Sequence, residues 1–347
     1  MSQPKQTLAF AVGGTRGHIL LAKALYEELK AHYTILFLGV DLEQSVDLQE
    51  EEYTVFSIEG SNRNPLSICR GVCQSLKILR IHKVDYVVGF GSYHSLPPLL
   101  AAMVCRTPFS LYEPNTLLGR VNQILYPFAH QVGVCFPHRF RRKAKYVTPL
   151  SFKASQAHIQ ATVAKEAWGF HPEHPVILVV GGSQGARYIN QMLFEASAFL
   201  TSELQILHIA GYPDDVERLQ QQYREQGRTA TVLTYTEELP QGYAAADMVI
   251  SRAGAGALHS QMEYGHPAIY IPYPGGVRDH QVHNARYMAE CVKGARVVLQ
   301  DSLQPKQFAN CIYDCLIDRH LYKQALIAHC KQMASMSMGQ LIHNALQ

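Results

Sequence analysis

Short apolar runs alternate with longer amphipathic stretches along most of the chain. Val176–Val180 is a continuous apolar run, which is typical of a strand buried on both faces of a parallel sheet. It is followed at 186–200 by apolar residues at helical spacing, and the segments 7–12 and 18–31 repeat this pair near the N-terminus. Strands that alternate with helices in this way predict α/β domains with parallel, doubly wound sheets.

The remaining elements follow the same alternation. In the first half we expect strands at 34–38, 53–58, 85–89, 109–111 and 131–135, the last of these closing that half. An acidic surface helix is predicted at 42–52 and a long helix at 65–83. In the second half we expect strands at 205–209, 231–233, 248–250, 268–271 and 296–299, helices near 213–226, 255–264 and 279–291, and a helical tail from about residue 305.

Each half opens on a glycine-rich turn between a strand and a helix. The turns are Gly13-Gly14-Thr15-Arg16-Gly17 and Gly181-Gly182-Ser183-Gln184-Gly185. Such a turn is an anion site, because unpaired backbone N–H groups and the helix dipole both point at it. A single copy is weak evidence, since any tight corner favours glycine. Two copies predict two similar domains, each with its own anion-binding turn.

With 347 residues and 47 % hydrophobic content, the chain is long enough for two cores. We expect an N-terminal domain at 1–152, a second domain at 153–325, and a helical tail at 326–347 that packs back on the first domain. Ligands of such sheets bind at the C-terminal ends of the strands, so we expect the deep cleft to lie between the two domains.

Charge and targeting signals point to no nucleic-acid partner and no membrane span. The net charge is only +3, from 31 basic and 28 acidic residues. The N-terminal apolar run 8–12 is too short for a signal peptide, and the apolar stretch 96–105 contains two prolines and is too short to cross a bilayer. We therefore expect a cytosolic protein, peripheral at most on a membrane.

Two basic segments leave alternatives open. The helix at 65–83 carries Arg70, Lys77, Arg80 and Lys83 beside an apolar stripe, as in helices that lie on an anionic membrane, or in helices that pack on their own sheet with a solvated basic face. The run 139–145 has five cations and no acid. It is either a solvated face near the domain boundary or a contact for anionic lipid.

The cysteines and carboxylates do not form a metal site in the sequence. Cys69 and Cys73, and Cys311 and Cys315, are spaced four apart without a nearby His or Cys to complete a tetrahedral set. Buried free thiols are therefore expected. No Asp-x-Asp stands at a strand end, so we expect neither a metal nor a cofactor, and phosphates held by helix dipoles and backbone N–H groups.

An ordered set of motifs is more specific than the glycine turns. It comprises Gly13-Gly14-Thr15-x-Gly17-His18, Gly89-Phe90-Gly91-Ser92-Tyr93, Glu113-x-Asn115, Gly181-Gly182-Ser183-Gln184-Gly185-Ala186, Ser251-Arg252-x-Gly254-Ala255 and Gln281-x-x-Asn284-Ala285. From about residue 8 to 300 the chain resembles the MurG family of glycosyltransferases. The resemblance implies the GT-B fold, α/β, with two doubly wound Rossmann-like domains facing a cleft. The first would take the acceptor and face the membrane, and the second would bind the UDP-sugar.

The resemblance also implies a reaction and a location. The family moves GlcNAc from UDP-GlcNAc to the 4-hydroxyl of the MurNAc unit of lipid I (undecaprenyl-pyrophosphoryl-MurNAc-peptide), with inversion at the anomeric carbon. The product, lipid II, serves peptidoglycan synthesis and thus cell shape and division. This would place the chain on the cytoplasmic face of the bacterial inner membrane, against its anionic surface.

Site residues follow position by position from the resemblance. His18 and Glu113 are the catalytic candidates. A helix N-terminus disfavours an imidazolium, so His18 is either a neutral base or a polar orienting group; Glu113 either orients the acceptor or caps the next helix. The acceptor would meet Gly13, Gly14 and Tyr93. The donor would meet Thr15, Arg16, Gly17, Asn115, Ser183, Gln184, Gly185, Ala255, Gly256, Ala257, Leu258, His259, Ser260, Gln281 and Asn284. Outside the resemblance, Asn115 alone could be a turn residue, and Gln281 and Asn284 could be helix-surface amides.

Three positions depart from the family pattern. Arg16 stands where the family has Gly. If the backbone there has a positive φ, the Arg costs about 1–2 kcal/mol of strain. Alternatively, its charge helps to bind the acceptor pyrophosphate. Ser260 replaces the Glu that binds the ribose hydroxyls, with Glu263 one turn away. Ser151 replaces an Arg of the inter-domain segment, with Lys153 the nearest cation.

Rival functions remain at this stage. One is a GT-B transferase that uses another UDP-sugar or lipid acceptor, which the change at Ser260 would favour. A UDP-GlcNAc 2-epimerase shares the fold, but its catalytic carboxylates are not evident. The non-enzymatic rival is a catalytically degraded, membrane-associated scaffold, against which the presence of His18, Asn115, Ser183 and Gln281 argues.

Overall fold

Two compact units make up the chain. Unit 1 is Met1–Phe152 with Met333–Gln347, and unit 2 is Lys153–Gln332. The structure, a computed structural model, describes residues 5–13, 16–49, 52–60, 64–137, 142–150, 159–182, 185–275, 279–300, 302–333 and 336–347.

Unit 1 is built on one parallel sheet. Its strands are β1 (Thr7–Ala11), β2 (Thr34–Val40), β3 (Thr54–Ile58), β4 (Tyr86–Gly89), β5 (Phe109–Glu113), β6 (Gln131–Val134) and β7 (Ala144–Tyr146). They lie in the order β3-β2-β1-β4-β5-β6-β7, and all the pairs are parallel. Its helices are α1 (Arg16–Leu29), α2 (Pro65–Ile81), α3 (Leu96–Cys105) and α4 (Arg120–Leu125).

Unit 2 repeats the design with a second parallel sheet. Its strands are β8 (Val176–Val180), β9 (Gln205–Ile209), β10 (Ala230–Leu233), β11 (Met248–Ser251), β12 (Ala268–Tyr270) and β13 (Ala295–Val297), in the order β10-β9-β8-β11-β12-β13. Its helices are α5 (Ala161–Ala167), α6 (Arg187–Ser197), α7 (Pro213–Glu225), α8 (Leu239–Ala245), α9 (Ala255–Tyr264), α10 (His280–Arg286), α11 (Pro305–Ile317) and α12 (Arg319–Met333).

The buried strands explain why these apolar runs form sheets. Leu8 to Val12 and Val176 to Val179 are fully buried, as expected of central parallel strands with helices on both faces. The cores are lined by Val, Ile, Leu and aromatic side chains, with Phe10 packed edge-on against Phe37 and Phe90 in unit 1. Strand order reverses beside β1 in one sheet and beside β8 in the other, which fixes where each unit can bind a ligand.

The last helix, α13 (Met338–Leu346), belongs to unit 1 although it ends the chain. Ser337 caps it and also hydrogen-bonds Glu28 of α1, and the Tyr33 hydroxyl lies 2.8 Å from His343 Nδ1. The Thr148 N–H donates to the Met336 carbonyl at 2.9 Å. These contacts tie α13 to α1 and to the chain after β7.

Several expectations about elements were wrong. Segment 42–52 is not a helix: its described part forms two 3-10 turns, Leu42–Gln44 and Val46–Leu48. The strand at 131–134 does not close the first half, because β7 follows it at the sheet edge. Cys69 and Cys73 are exposed rather than buried, while Cys315 is buried. None of the helices within the described ranges is long and apolar enough to cross a membrane.

Candidate active site

The two glycine-rich turns lie at equivalent places in their units. The first follows β1, next to the loop that leaves β4; the second follows β8, next to the segment that leaves β11. In each sheet the chain runs outward to opposite sides from these two neighbouring strands, so each turn sits at a topological switch point. Both are therefore where a doubly wound sheet binds ligands.

The first turn packs against the loop after β4. Gly13 has φ +142°, and a Cβ built on it would lie 2.9 Å from the Cβ of His94 and 3.1 Å from the Val40 carbonyl oxygen. Only glycine fits this approach without displacing its neighbours. Gly14 and Thr15 lie outside the described residues, and Gly17 is exposed in the first turn of α1.

His18 is held as a neutral imidazole. Burial, with a further contribution from the charge of His94, lowers its pKa from 6.5 to about 4. At neutral pH its ring can therefore accept a proton or a hydrogen bond, as a general base must.

The loop after β4 presents two further side chains near the first turn. Tyr93 is 43 % exposed, so its ring is available to a ligand. Ser92 adopts φ +73°, which is uncommon for a residue other than glycine. Its hydroxyl lies 3.0 Å from His94 Nδ1 and accepts from the His94 backbone N–H at 3.4 Å.

Glu113, at the end of β5, is enclosed by donors. Its Oε1 accepts from the backbone N–H and the side-chain amide of Asn115, at 3.1 and 2.9 Å; its Oε2 accepts from Gly119 N–H at 2.7 Å and Asn122 Nδ2 at 3.0 Å. The side chain is buried, and burial raises its pKa, which the four hydrogen bonds oppose. Gly119 is the N-cap of α4, so these contacts favour the capping alternative for Glu113. The Asn115 side-chain N–H group thus already donates to Glu113.

The second turn packs against the chain that follows β9. Gly185 has φ +70°, and a Cβ on it would come within 2.6 Å of the Tyr212 ring and 2.9 Å of the Ala210 carbonyl oxygen. The Arg187 guanidinium, at the start of α6, lies 4.7 Å from the centre of the same ring. Ser183 and Gln184 lie outside the described residues.

The segment after β11 leads into α9 and carries most of the other donor candidates. Cβ atoms built on Gly254 and Gly256 would meet none of the described atoms within 4 Å, which leaves open space in front of the backbone. Ala255 and Ala257 are half-buried beside that space. Leu258 and His259 are buried, so they support α9 rather than line the space.

Gln281 and Asn284, on α10, hold neighbouring loops. Gln281 Oε1 accepts from the Tyr273 backbone N–H at 2.9 Å. Asn284 is buried and its Nδ2 donates to the Ala253 carbonyl at 3.0 Å, which fixes the segment that leads into α9. Both amides therefore connect α10 to neighbouring segments of the chain.

Sequence reasoning missed a buried polar network under the second turn. His208, on β9, lies 3.0 Å from Asn190 Oδ1 through Nε2 and 3.1 Å from the Tyr223 hydroxyl through Nδ1. Asn190 Nδ2 donates to the Ala210 carbonyl and to Asp215 Oδ2, both at 3.0 Å. Because Asn190 Oδ1 can only accept, His208 Nε2 must carry the proton. A histidine inside an apolar strand, followed by Asp at a helix start, was the available signal.

Metal-ligating side chains do not cluster in the described part of the chain: no group of three or more His, Cys, Asp or Glu side chains there could hold an ion. A ligand at either turn could bind to backbone N–H groups, to a helix N-terminus and to the side chains described above.

Comparisons with known proteins match both units. The N-terminal domain of glycosyltransferase family 28 matches residues 8–134, and the C-terminal domain of the same family matches residues 176–338. The UDP-N-acetylglucosamine–N-acetylmuramyl-(pentapeptide) pyrophosphoryl-undecaprenol N-acetylglucosamine transferase of Chlamydia pneumoniae is 32 % identical over 100 % of both chains. Its counterpart in Protochlamydia amoebophila is 33 % identical over 85 % of this chain and 83 % of its own. The crystal structure of Acinetobacter baumannii MurG is 27 % identical, covers 99 % of both chains and superposes with a TM-score of 0.80.

The chain belongs to the MurG family.

Membership confirms the resemblance drawn from the motifs and the expected fold class, a GT-B protein with two Rossmann-like, parallel-sheet units. The alignment with the Chlamydia pneumoniae relative covers both chains from end to end, so neither unit is an addition to the family's architecture. The roles of individual site residues stay predictions.

Two of the three departures from the family pattern can be examined in the structure. Arg16 begins α1 and does not have a positive φ, so its backbone is not strained. Its guanidinium forms a two-pronged ion pair with Asp47, with Nε 2.9 Å from Oδ2 and Nη2 2.9 Å from Oδ1. Burial raises the pKa of Tyr243 on α8 to about 12, and the nearby Ser260 hydroxyl opposes this rise. Ser151 and Lys153 lie outside the described residues.

Proposed function

We propose that this MurG-family chain transfers GlcNAc from UDP-GlcNAc to the 4-hydroxyl of the MurNAc unit of lipid I, which yields lipid II for peptidoglycan synthesis. One observation supports this most directly: a full-length match to transferases of that name, in a chain whose two glycine-rich turns both lie at switch points. The proposal makes the chain a hexosyltransferase with a UDP-sugar donor and a lipid-pyrophosphate acceptor.

The acceptor hydroxyl must lose its proton as it attacks the anomeric carbon. We assign that proton to His18, because a ring with a pKa of about 4 is unprotonated at neutral pH. The oxygen forms its bond to the anomeric carbon on the face opposite UDP, whose bond breaks with both electrons going to the diphosphate, and the sugar inverts. In this scheme Glu113 is a positioning residue that shapes loop 114–119 through its four hydrogen bonds.

Charge that develops on the departing diphosphate must be stabilised by fixed dipoles. We assign this to the second turn, with Ser183, Gln184 and Gly185 preceding α6 in the chain, and to the open space before Gly254 and Gly256. On this assignment Ala255, Gly256, Ala257 and Ser260 flank the uridine and ribose, and the buried Leu258 and His259 support them. Gln281 and Asn284 hold the surrounding loops. Asn115 would reach the donor sugar from its place beside Glu113, and Gly13 and Tyr93 would meet the acceptor.

Ser260 is the observation that favours a second candidate, a related transferase with a different UDP-sugar or acceptor. A serine carries no carboxylate, so the group that the family offers the ribose has no equivalent at this position. Donor specificity is therefore the property to measure first.

The deciding experiment is turnover on a short-chain lipid I analogue with EDTA present, comparing UDP-GlcNAc, UDP-GalNAc and UDP-glucose. GlcNAc transfer in EDTA supports the proposal and its metal-independent leaving-group stabilisation. Preference for another sugar supports the second candidate. If UDP binds no better than an unrelated anion, the scaffold alternative replaces both.

The acceptor's lipid tail requires contact with a membrane, and we assign this to the outer face of α2 and α3. Leu66, Ile81 and Val104 are 69, 61 and 62 % exposed. Beside Ile81 and Val104, a surface cavity at the C-terminal ends of α2 and α3 is lined by Arg80, Lys83 and Arg106, and its lining, drawn from the described residues, contains no acid. Exposed apolar side chains among cations suit the interface of an anionic bilayer. The chain would thus be peripheral on the cytoplasmic face of the bacterial inner membrane.

We expect Lys77→Glu with Arg80→Glu to weaken binding to phosphatidylglycerol-containing vesicles by about 10-fold or more at low salt, since each cation near such a surface contributes about 1 kcal/mol. Cosedimentation measures this. The matched control is Lys306→Glu with Lys331→Glu, which makes the same charge change on exposed residues of unit 2. Equal binding by both double variants would contradict the assignment.

A further inference from the structure

The buried polar network beneath the second turn has no part in the chemistry assigned above, and Asn190 is at its centre. This residue lies in the first turn of α6, and its backbone N–H donates to the Ala186 carbonyl at 3.0 Å. Its side chain is fully buried. A buried amide costs free energy unless its donors and acceptor are paired, so the partners of Asn190 show what it holds.

Every hydrogen-bonding group of the Asn190 side chain is paired. Its Nδ2 donates to the Ala210 carbonyl and to Asp215 Oδ2, both at 3.0 Å. Because both partners are acceptors, the orientation of the amide is fixed, and Oδ1 accepts from His208 Nε2 at 3.0 Å. His208 Nδ1 then accepts from the Tyr223 hydroxyl at 3.1 Å. One side chain thus joins α6 to β9, to the segment that follows β9, and to α7.

The Ala210 carbonyl connects this network to the second turn. A Cβ built on Gly185 would lie 2.9 Å from the same carbonyl oxygen and 2.6 Å from the Tyr212 ring. Gly185 therefore packs directly on segment 210–212, with no room for a methyl group between them. The Gly185 N–H also donates to the Gly182 carbonyl at 3.0 Å, within the turn. A shift of segment 210–212 would therefore be passed on to the turn.

We propose that Asn190 is a positioning residue for the second turn: it fixes segment 210–212, against which Gly185 packs, and so holds the backbone N–H groups of the turn in the arrangement that binds a diphosphate. Donors that are already oriented stabilise developing charge without a cost of reorganisation. The identity of the ligand, a nucleoside diphosphate, rests on the proposed function; the dependence of the turn on Asn190 does not.

Charge is the other explanation for anion affinity near this turn, and it makes the opposite prediction. Asp215 pairs with Arg218 at 2.8 Å, and its carboxylate repels a diphosphate. If charge alone mattered, any substitution that removes this carboxylate would tighten UDP binding. If positioning matters, a substitution that also removes the hydrogen bond to Asn190 weakens UDP binding.

Ser197 provides a matched control on the same helix. It is fully buried at the last residue of α6, and its hydroxyl hydrogen-bonds the Phe194 carbonyl and the side chain of Gln226, which follows α7. It therefore joins the two helices at the ends away from the turn. Ser197→Ala removes buried hydrogen bonds between α6 and α7 without touching segment 210–212.

The first experiment needs no ligand. Hydrogen exchange measured by mass spectrometry on peptides that cover 185–190 reports the opening of the second turn and the start of α6. Asn190→Leu has a side chain of similar size without the three hydrogen bonds, and we expect exchange in these peptides to accelerate by about tenfold or more. Ser197→Ala should lower Tm but leave exchange at 185–190 at the wild-type rate. Equal acceleration in both variants, or none in Asn190→Leu, overturns the proposal.

The second experiment uses Asp215, where substitution disturbs the core less. Asp215→Asn keeps an oxygen that can accept from Asn190 Nδ2, whereas Asp215→Ala removes it. In calorimetric titrations with UDP we expect Asp215→Asn to bind as tightly as the wild type or more tightly, and Asp215→Ala to bind about fivefold to tenfold more weakly. A change of the same sign in both variants, or unchanged binding in Asp215→Ala, would overturn the positioning role.

Turnover separates this role from a general loss of folded protein. Asp215→Ala should raise the KM for UDP-GlcNAc and lower kcat, with the KM for the acceptor within about twofold of the wild type. Partial unfolding lowers kcat alone, and that result would contradict the proposal. If the wild type binds no UDP or transfers no GlcNAc, the proposed function fails, while the exchange experiment still decides whether the turn depends on Asn190.

Discussion

Replacing Glu113 by Gln separates the two roles considered for this carboxylate, acting on the acceptor or holding its own loop. The side chain is 2 % exposed and is surrounded by donors from Asn115, Gly119 and Asn122. We expect Glu113→Gln to reduce the free energy of local opening of segment 113–125 by about 3 kcal/mol, because the glutamine has the same shape but half the acceptor capacity.

The magnitude follows from the four hydrogen bonds. Each carboxylate oxygen accepts two, at distances between 2.7 and 3.1 Å. In either orientation of the glutamine amide, its NH₂ group faces two donors and those two bonds are lost. An unpaired buried donor costs about 1–3 kcal/mol, so two cost about 2–6 kcal/mol, and we expect about 3 kcal/mol because three of the four hydrogen bonds are only partly buried.

Hydrogen exchange measured by mass spectrometry on peptides that cover 113–125 reports this local opening. The single tryptophan, Trp168, lies in unit 2, so its fluorescence during urea unfolding is an internal reference that should not change. Glu43→Gln, an exposed carboxylate in the same unit, is the matched control and should leave exchange unaltered.

A variant that loses GlcNAc transfer while segment 113–125 keeps its wild-type protection would refute this reasoning. It would show that Glu113 acts on the substrate and that its four hydrogen bonds are not what stabilises the loop. Faster exchange together with a modest loss of turnover is the expected pattern for a positioning residue.

Two further predictions concern unit 2. Burial lowers the pKa of His208 to about 3, so this residue takes up a proton in the unfolded chain at a higher pH than in the folded unit. Between pH 7 and 5 the unit should therefore lose about 2 kcal/mol of its free energy of unfolding through His208. In His208→Phe the loss over the same range should be smaller by that amount, as measured by Trp168 fluorescence in urea. A variant with the wild-type pH slope would contradict this. Gly185→Ala should lower the free energy of unfolding by about 2–3 kcal/mol and weaken UDP binding by about tenfold or more, because at φ +70° the methyl group meets Tyr212 and the Ala210 carbonyl. Gly227 has a similar φ of +67° with open space around it. The control variant Gly227→Ala should therefore lower stability by only about 1 kcal/mol and leave UDP binding unchanged. Calorimetric titration with UDP checks both, and equal effects would show that the contact is unimportant.

Local patterns were enough to predict most of the helices and every described strand except β7, because each depends on residues adjacent in sequence. The failures have local causes too. Helix α3 was not predicted, although its Pro97 and Pro98 occupy the first turn, where a missing N–H costs nothing. Strand β7 is a three-residue edge strand with Lys145 at its centre, so it contains no apolar run from which it could be predicted.

The contacts that define the site could not be predicted in the same way. Arg16 and Asp47 are 31 positions apart, and neither residue type nor spacing indicates that they pair. His94 meets Gly13 only because β1 and β4 are neighbours in the sheet, a fact of topology rather than of motif. The motif names Glu113 and Asn115, but the hydrogen bonds between them are seen only in the fold.

The two turns share the sequence Gly-Gly-x-x-Gly but differ in the charged side chains near them, and this difference bears on which substrate each receives. At the first turn the Arg16 cation is already paired with Asp47, and His18 is neutral. At the second, Arg187 stacks on Tyr212, and its charge helps lower the pKa of Asp215, which Arg218 also contacts at 2.8 Å. Arg187 therefore places a cation beside the second turn, on the ring that also contacts Gly185. A departing UDP gains negative charge on its diphosphate, whereas an attacking hydroxyl needs a neutral base. The charge distribution therefore supports giving the donor to the second turn and the acceptor to the first.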